Sequence, residues 1–163
     1  MEARIPSPAL SVPGAFEAIQ ALSAAATKAG RTSGLTRGFT ELVNLRVSQV
    51  NGCAVCLDMH TRGAKQAGEA EQRLNTVAAW RESSYFSAAE KAALALAEAV
   101  TRLADRPDPV PDDVFAAAAK HYDEAALAAL LTHVAVINVW NRLNVATAQQ
   151  AGEWTAQWVS QEG

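Results

Sequence analysis

Hydrophobic residues recur at helical spacing along most of this chain, and the alternation of apolar and polar residues typical of strands is rare. Alanine, which has the highest helix propensity, is abundant, while glycine and proline are concentrated in a few short segments. We therefore expect an all-α fold. The pattern predicts helices over residues of about 13–28, 36–50, 53–67, 69–81, 88–104, 112–121 and 124–150.

Local signals mark where several of these helices begin and end. Asn51-Gly52 ends the second helix and forms the turn into the third. Ser87 and Glu90 form a capping box that opens the fifth helix, and the prolines of "DRPDPVP" predict a linker after it. The last helix contains "THVAVINVW", which resembles a strand, but the flanking "EAALAALL" and "NRLNVATAQQ" favour a helix buried on most sides.

Length and composition indicate one soluble globular domain over residues 1–163. The formal net charge is −3 and the basic residues are scattered, so binding of nucleic acid has little support. The N-terminal segment lacks the charged-then-apolar pattern of a signal peptide. No apolar run approaches the roughly 20 residues that span a bilayer. We expect a cytoplasmic protein that binds neither nucleic acid nor membrane.

The only two cysteines, Cys53 and Cys56, form a CxxC pair that is followed by His60. In a reducing compartment a close cysteine pair is more often catalytic or metal-binding than a permanent disulfide. A thioredoxin-like domain would need strands alternating with helices, which this pattern does not show. If Asn51-Gly52 forms the turn, Cys53 lies at a helix N-terminus, where the macrodipole and unpaired N–H groups favour a thiolate.

The spacing places Cys53, Cys56 and His60 on one face of a helix. His60 can take or return the Cys56 proton, and the two sulfurs can reach disulfide distance. Glu41 lies about as far before the turn as His60 lies beyond it, so a helical hairpin brings the two level. There a carboxylate could fix the imidazole tautomer. The alternative for Glu41 is a solvated helix residue.

Other polar and aromatic residues have structural interpretations. His121 ends a helix, where a histidine complements the dipole, and His133 is interpreted as a core histidine. Asn138, Asn141 and Arg142 are polar groups near either a site or a subunit contact. We interpret the tryptophans as core or interface anchors: Trp80, Trp140, Trp154 and Trp158.

The segment "ELVNLRVSQVNGCAVCLDMHTRGAKQAG" resembles the core motif of the AhpD-like, alkylhydroperoxidase branch of the carboxymuconolactone decarboxylase superfamily. The likeness extends from about Leu35 to Glu98, and "NVWNRLNVAT" resembles the usual ending of that family. The family motif is a glutamate, a CxxC pair beginning twelve residues later, and a histidine four residues after the second cysteine. The residues that match it are Glu41, Cys53, Cys56 and His60.

The resemblance implies an AhpD-like helical fold and a thiol-dependent peroxidase. Cys56 would attack the hydroperoxide, His60 would activate it, Glu41 would support His60, and Cys53 would be the resolving thiol. It also implies an external dithiol or protein reductant, no cofactor or metal, and a homo-oligomer, commonly a trimer or hexamer. Some members carry a second histidine just before the second cysteine, where this chain has Val55, so we expect slower turnover or more dependence on His60.

Three other functions compete with this interpretation. The first is a thiol-disulfide reductase or adaptor that serves another peroxidase. The second is a zinc-binding module, since two thiolates, an imidazole and a carboxylate suit a tetrahedral site, although structural zinc sites usually take ligands from two separated clusters. The third is an oligomeric helical protein with a vestigial site. Lactone decarboxylation is disfavoured, because the decarboxylase branch does not use the CxxC pair.

Overall fold

The computed structural model describes residues 2–105 and 107–152, and all the regular secondary structure in these ranges is helical. The expected all-α fold is confirmed. A short 3₁₀ turn, Val77–Ala79, follows the fifth helix. The α-helices are α1 (Pro8–Ser11), α2 (Ala15–Thr32), α3 (Arg37–Asn51), α4 (Ala54–Gln66), α5 (Glu71–Thr76), α6 (Ala88–Thr101), α7 (Asp112–Ala119) and α8 (Glu124–Ala146).

The hydrophobic core forms where the antiparallel pair α3 and α4 meets α6 and α8. Leu42 and Val43 of α3, Leu94 of α6 and Val134 of α8 have no exposed surface. Helix α2 packs against the other side of α8. The α3–α4 pair is thus held on a rigid base, and side chains on its inner face have fixed positions.

The helix ends follow the sequence signals at most places. Gly52 ends α3 with a left-handed backbone at φ 69°, and both hydrogen bonds of the Ser87–Glu90 capping box are present. The predicted fourth helix is shorter and finishes in the 3₁₀ turn. Helix α1 was not predicted, because four residues are too few to show periodicity. Trp154 and Trp158 lie outside the described residues.

Helix α8 corrects the expectation that no segment is long and apolar enough to span a bilayer. It has 23 residues with a mean hydropathy of 1.3, which meets that criterion by length and composition alone. It nevertheless packs against α2, α3 and α6, and it buries His133, Asn138 and Asn141. Its apolar character is accounted for by its central place in the core.

A buried carboxylate ties α3, α6 and the 3₁₀ segment together. Glu98 of α6 is 5% exposed and accepts hydrogen bonds from Arg46 Nε at 2.6 Å, Trp80 Nε1 at 2.8 Å and Arg81 Nη2 at 2.6 Å. Burial alone would raise the pKa of Glu98, but the bonds from Arg81, Trp80 and Arg46 outweigh it and hold the pKa below its ordinary value. The ionised form is therefore the native one.

We predict that Glu98→Gln lowers the free energy of unfolding at pH 7 by about 2–3 kcal/mol, because the neutral amide weakens the three charge-assisted hydrogen bonds and presents an NH₂ group to at least one of the donors. A depressed folded pKa contributes stability that is present above the unfolded pKa, about 4.3, and is lost as the pH falls through the folded value. The difference between the variant and the wild type should therefore shrink below pH 4. Urea unfolding at several pH values measures it. The exposed Glu82→Gln is the control, and a pH-independent loss would contradict the prediction.

Candidate active site

The turn between α3 and α4 is fixed to α8 by buried amide side chains. Asn51 Nδ2 donates to Asn138 Oδ1 at 3.0 Å and to Asn141 Oδ1 at 2.8 Å. Asn141 in turn donates to Ser48 Oγ at 3.2 Å, and Arg142 donates to Asn138 Oδ1 at 2.7 Å. These residues thus lie beside the cysteine motif, and they hold the start of α4 in place.

Both cysteines are free thiols buried at the start of α4. Cys53 is the N-cap residue, and its sulfur accepts the backbone N–H of Cys56 at 3.4 Å. Asn144 of α8 donates its side-chain N–H to Cys56 Sγ at 3.5 Å. The expected position of Cys53 at a helix N-terminus is confirmed, and each sulfur has a donor of its own.

The two thiols differ in acidity because they are hydrogen-bonded to each other. The bond from the Cys56 thiol lowers the pKa of Cys53 to about 7, against the opposing effect of burial, and the Cys56 backbone N–H adds to it. The neighbouring Cys53 sulfur and burial both raise the pKa of Cys56. The resting thiolate of the pair therefore lies on Cys53, as the helix-dipole argument favours, and the remaining proton lies on Cys56.

Glu41 of α3 and His60 of α4 meet across the hairpin. His60 Nδ1 and Glu41 Oε2 are 2.7 Å apart, and each side chain is 19% exposed. An ionised carboxylate can only accept, so the pairing assigns the proton to Nδ1 and leaves Nε2 as the free nitrogen. The contact expected from the spacing about the turn is present, and Glu41 is not a solvated helix residue.

Gly63, one turn beyond His60 on α4, makes this contact possible. A Cβ atom at position 63 would lie 2.8 Å from the carboxyl carbon of Glu41, well inside van der Waals contact. The carboxylate therefore rests against bare backbone, and its position depends on the absence of a side chain at Gly63.

A cavity of about 350 Å³ opens beside this pair, which is within the usual range for small-ligand sites. Cys56 and His60 line it, whereas Cys53 does not. Most of its wall is apolar and comes from α1, α2, α4 and α8: Leu10, Phe16, Val55, Met59, Val136, Ile137 and Trp140. Of the two sulfurs, only Cys56 faces the space that a small molecule could occupy.

The sequence interpretation did not place seven polar residues on the cavity wall: Ser7, Gln20, Ser23, Asn44, His133, Asn144 and Gln149. His133 is buried, as expected of a core histidine, but it faces the cavity. Burial lowers its pKa, partly offset by the charge of Glu41. The sequence did contain one indication of this wall. His133, Trp140 and Asn144 are spaced so that they lie on one face of α8, and that face lines the cavity.

The four motif residues do not form a ligand set of the kind expected for zinc. Glu41 is bonded to His60, and Cys53 accepts a backbone N–H group. Within residues 2–105 and 107–152, no group of three or more His, Cys, Asp or Glu side chains is arranged to hold a metal ion.

The family profile described as "Carboxymuconolactone decarboxylase family" matches residues 13–99, which include Glu41, both cysteines and His60. The chain belongs to the carboxymuconolactone decarboxylase family. The assignment agrees with the resemblance of the motif, and it covers the whole α3–α4 hairpin.

Two relatives in bacteria are uncharacterized proteins. YdfG of Bacillus subtilis is 41% identical over 121 residues, which cover 74% of this chain and 81% of YdfG. YnjA of Escherichia coli is 32% identical over 105 residues, which cover 64% of this chain and 56% of YnjA. The chain thus spans little more than half the length of YnjA.

Two solved structures share the fold. ATU0492 of Agrobacterium tumefaciens, a protein of unknown function assigned provisionally as the antioxidant defence protein AhpD, has a TM-score of 0.82 and 34% identity, with 93% of this chain and 99% of that chain covered. The debrominase Bmp8, solved as an alanine variant with 2,3,4-tribromopyrrole, has a TM-score of 0.74 and 19% identity, with 93% and 78% covered. The second likeness shows the fold alone.

We predict that Gly63→Ala destabilises the protein by about 1–3 kcal/mol, because the added methyl group displaces the Glu41 carboxylate. In a Glu41→Ala background the same change should instead stabilise α4 by about 1 kcal/mol, since alanine is the better helix former once the clash is gone. Urea unfolding of the four proteins measures the reversal. Gly30→Ala is the control, because a Cβ atom at position 30 meets only ordinary contacts from 3.5 Å. Its effect on the free energy of unfolding should have the same sign in both backgrounds. An equal change in the free energy of unfolding on Gly63→Ala in the wild-type and Glu41→Ala backgrounds would contradict the prediction.

Proposed function

We propose that the protein is a thiol-dependent peroxidase that reduces hydroperoxides through a Cys53–Cys56 dithiol/disulfide cycle. The observation that carries the proposal is the position of Cys56, on the wall of an apolar cavity beside an imidazole that Glu41 holds at 2.7 Å. The family assignment and the neighbour ATU0492 support an antioxidant role.

In the first step Cys56 attacks the terminal oxygen of the hydroperoxide. The S–O bond forms as the O–O bond breaks, so that sulfur is oxidised to a sulfenic acid and the peroxide is reduced to an alcohol. His60 takes the Cys56 proton on Nε2 and passes it to the departing alkoxide oxygen. The Glu41 carboxylate stabilises the imidazolium that exists between these two transfers.

In the second step Cys53 attacks the sulfenic acid. Cys53 is the sulfur with the lowered pKa, so its thiolate is available without a further base. The S–S bond forms as hydroxide leaves and is protonated to water. An external dithiol then restores both thiols by exchange with the disulfide.

The main rival is a reductase or adaptor that exchanges disulfides with another peroxidase. Residues Cys53 and Cys56 are at most 2% exposed, and the cavity is the route by which a small molecule reaches Cys56. This burial favours direct reaction with a hydroperoxide. The homo-oligomeric state and the cytoplasmic location stay predictions.

We predict that one equivalent of cumene hydroperoxide lowers the intact mass by two hydrogens, and that a dithiol reverses the change. Cys56→Ser should abolish turnover, because the attacking sulfur is gone. Cys53→Ser should form a Cys56 sulfenic acid that persists and can be trapped by a dimedone-type probe. If the probe labels Cys53 in the Cys56→Ser protein but does not label Cys56 in the Cys53→Ser protein, the roles of the two cysteines are the opposite of those assigned here. An unchanged wild-type mass would remove the peroxidase proposal.

We predict that Glu41 acts through His60. His60→Ala should lower the rate of oxidation by hydroperoxide about a hundredfold, since a general base is removed. It should also raise the pKa of the Cys53 thiol above about 7, because the electrostatic effect of His60 adds to the hydrogen bonds from Cys56 that lower it. Glu41→Gln should also lower the oxidation rate and raise this pKa, but by less than His60→Ala does. In the His60→Ala background Glu41→Gln should change little. Stopped-flow oxidation and a pH profile of thiol alkylation give the two readouts, and additive effects would exclude the relay.

A further inference from the structure

His133 brings a second imidazole to the wall of the cavity. It lies on α8, is 6% exposed, and lines the same space as Cys56 and His60. The mechanism above assigns it no role.

The surroundings of His133 engage one ring nitrogen and favour the neutral ring. Its Nε2 faces α2, 3.6 Å from the place where a Cβ on Gly30 would be, and the Ala26 backbone carbonyl of that helix accepts its N–H. Burial lowers its pKa, so the ring is neutral at pH 7. A neutral imidazole with one N–H donated has one nitrogen that can only accept a hydrogen bond.

The other polar side chains that α3, α4 and α8 contribute to this cavity are less suited to accept from a ligand. Asn144 donates to Cys56, and the free nitrogen of His60 is needed for the thiol proton. The side-chain oxygen of Asn44 has no hydrogen-bond partner among the described residues, but this atom has almost no solvent-accessible surface. The cavity is also lined by residues with hydroxyl or amide groups, which can donate as well as accept: Ser7, Gln20, Ser23 and Gln149. Of the two imidazoles on the wall, His60 uses its free nitrogen for the thiol proton, so the second nitrogen of His133 is the imidazole nitrogen left to accept.

We propose that His133 is a substrate-binding residue that accepts a hydrogen bond from an O–H group on an otherwise apolar ligand. This inference rests on the proposed function, in which that group is the terminal O–H of a hydroperoxide. The hydrogen stays on the terminal oxygen throughout the attack and becomes the sulfenic acid hydrogen, so His133 transfers no proton. It holds the terminal oxygen, rather than the oxygen bonded to carbon, towards Cys56.

Two inert molecules of nearly equal shape test the hydrogen bond without any turnover. 2-Phenyl-2-propanol carries an O–H group, and tert-butylbenzene has a methyl group in its place. In His133→Leu the ratio of the two dissociation constants, alcohol over hydrocarbon, should rise about tenfold relative to the wild type, the value of one neutral hydrogen bond. His133→Gln, which keeps an acceptor, should restore most of the preference.

Kinetics separates binding from thiol activation in the same variants. Oxidation by cumene hydroperoxide should slow about tenfold in His133→Leu, while the pH profile of thiol alkylation stays within about twofold of the wild type. His121→Gln, a change at an exposed histidine, should leave every readout unchanged.

The outcomes distinguish the inference from the function on which it rests. An unchanged binding ratio in His133→Leu overturns the inference even if the wild type is an active peroxidase. A loss of preference in Asn44→Leu and not in His133→Leu would transfer the role to Asn44 and overturn it as well. If the wild type is not oxidised by hydroperoxide but His133→Leu still loses the alcohol preference, the proposed function fails and the ligand-binding role of His133 stands.

Discussion

The hydrogen bond between Glu41 and His60 is the constraint on which the rest of the site depends. It spans the two helices of the hairpin at 2.7 Å, and it requires both the tight turn at Gly52 and the bare backbone at Gly63. Because Nδ1 is occupied, the free nitrogen of His60 is the one available to the cysteines and the cavity. The geometry of a single contact thus sets the chemistry of the imidazole.

The residues of the site come both from one short segment and from helices that are distant in the sequence. Helix α4 contributes both sulfurs and the imidazole, so their mutual spacing is built into one helix. Helices α2 and α8 contribute the cavity wall and the amide of Asn144. The two cysteines also differ in position and acidity. Cys53, the more acidic thiol, lies at the helix N-terminus, whereas Cys56 lines the cavity. In the proposed mechanism the more acidic thiol, Cys53, is therefore not the thiol that attacks the hydroperoxide.

The parts of this site that the sequence could predict are those fixed by local geometry. The spacing of Glu41 and His60 about Asn51-Gly52 predicted their contact, because rise per residue converts directly into position along a hairpin. The cavity could not be predicted in this way, since Trp140 and Phe16 meet only through the packing of α8 on α2. His133 was assigned to the core because its neighbours in the sequence are apolar. A residue that lines an apolar cavity has the same kind of neighbours as a residue packed in the core, so the sequence could not distinguish the two.

The capping role of Cys53 also links the redox state of the pair to the stability of α4. In the reduced protein its sulfur accepts the Cys56 N–H and satisfies one of the unpaired donors at the start of the helix. A sulfur in a disulfide carries no negative charge and is a weaker acceptor, so oxidation removes part of this cap. Interactions that stabilise the reduced form raise the reduction potential of a dithiol. The first turn of α4 therefore makes a Cys53–Cys56 disulfide easier to reduce, which suits the proposed cycle, in which the pair returns to the dithiol after each turnover.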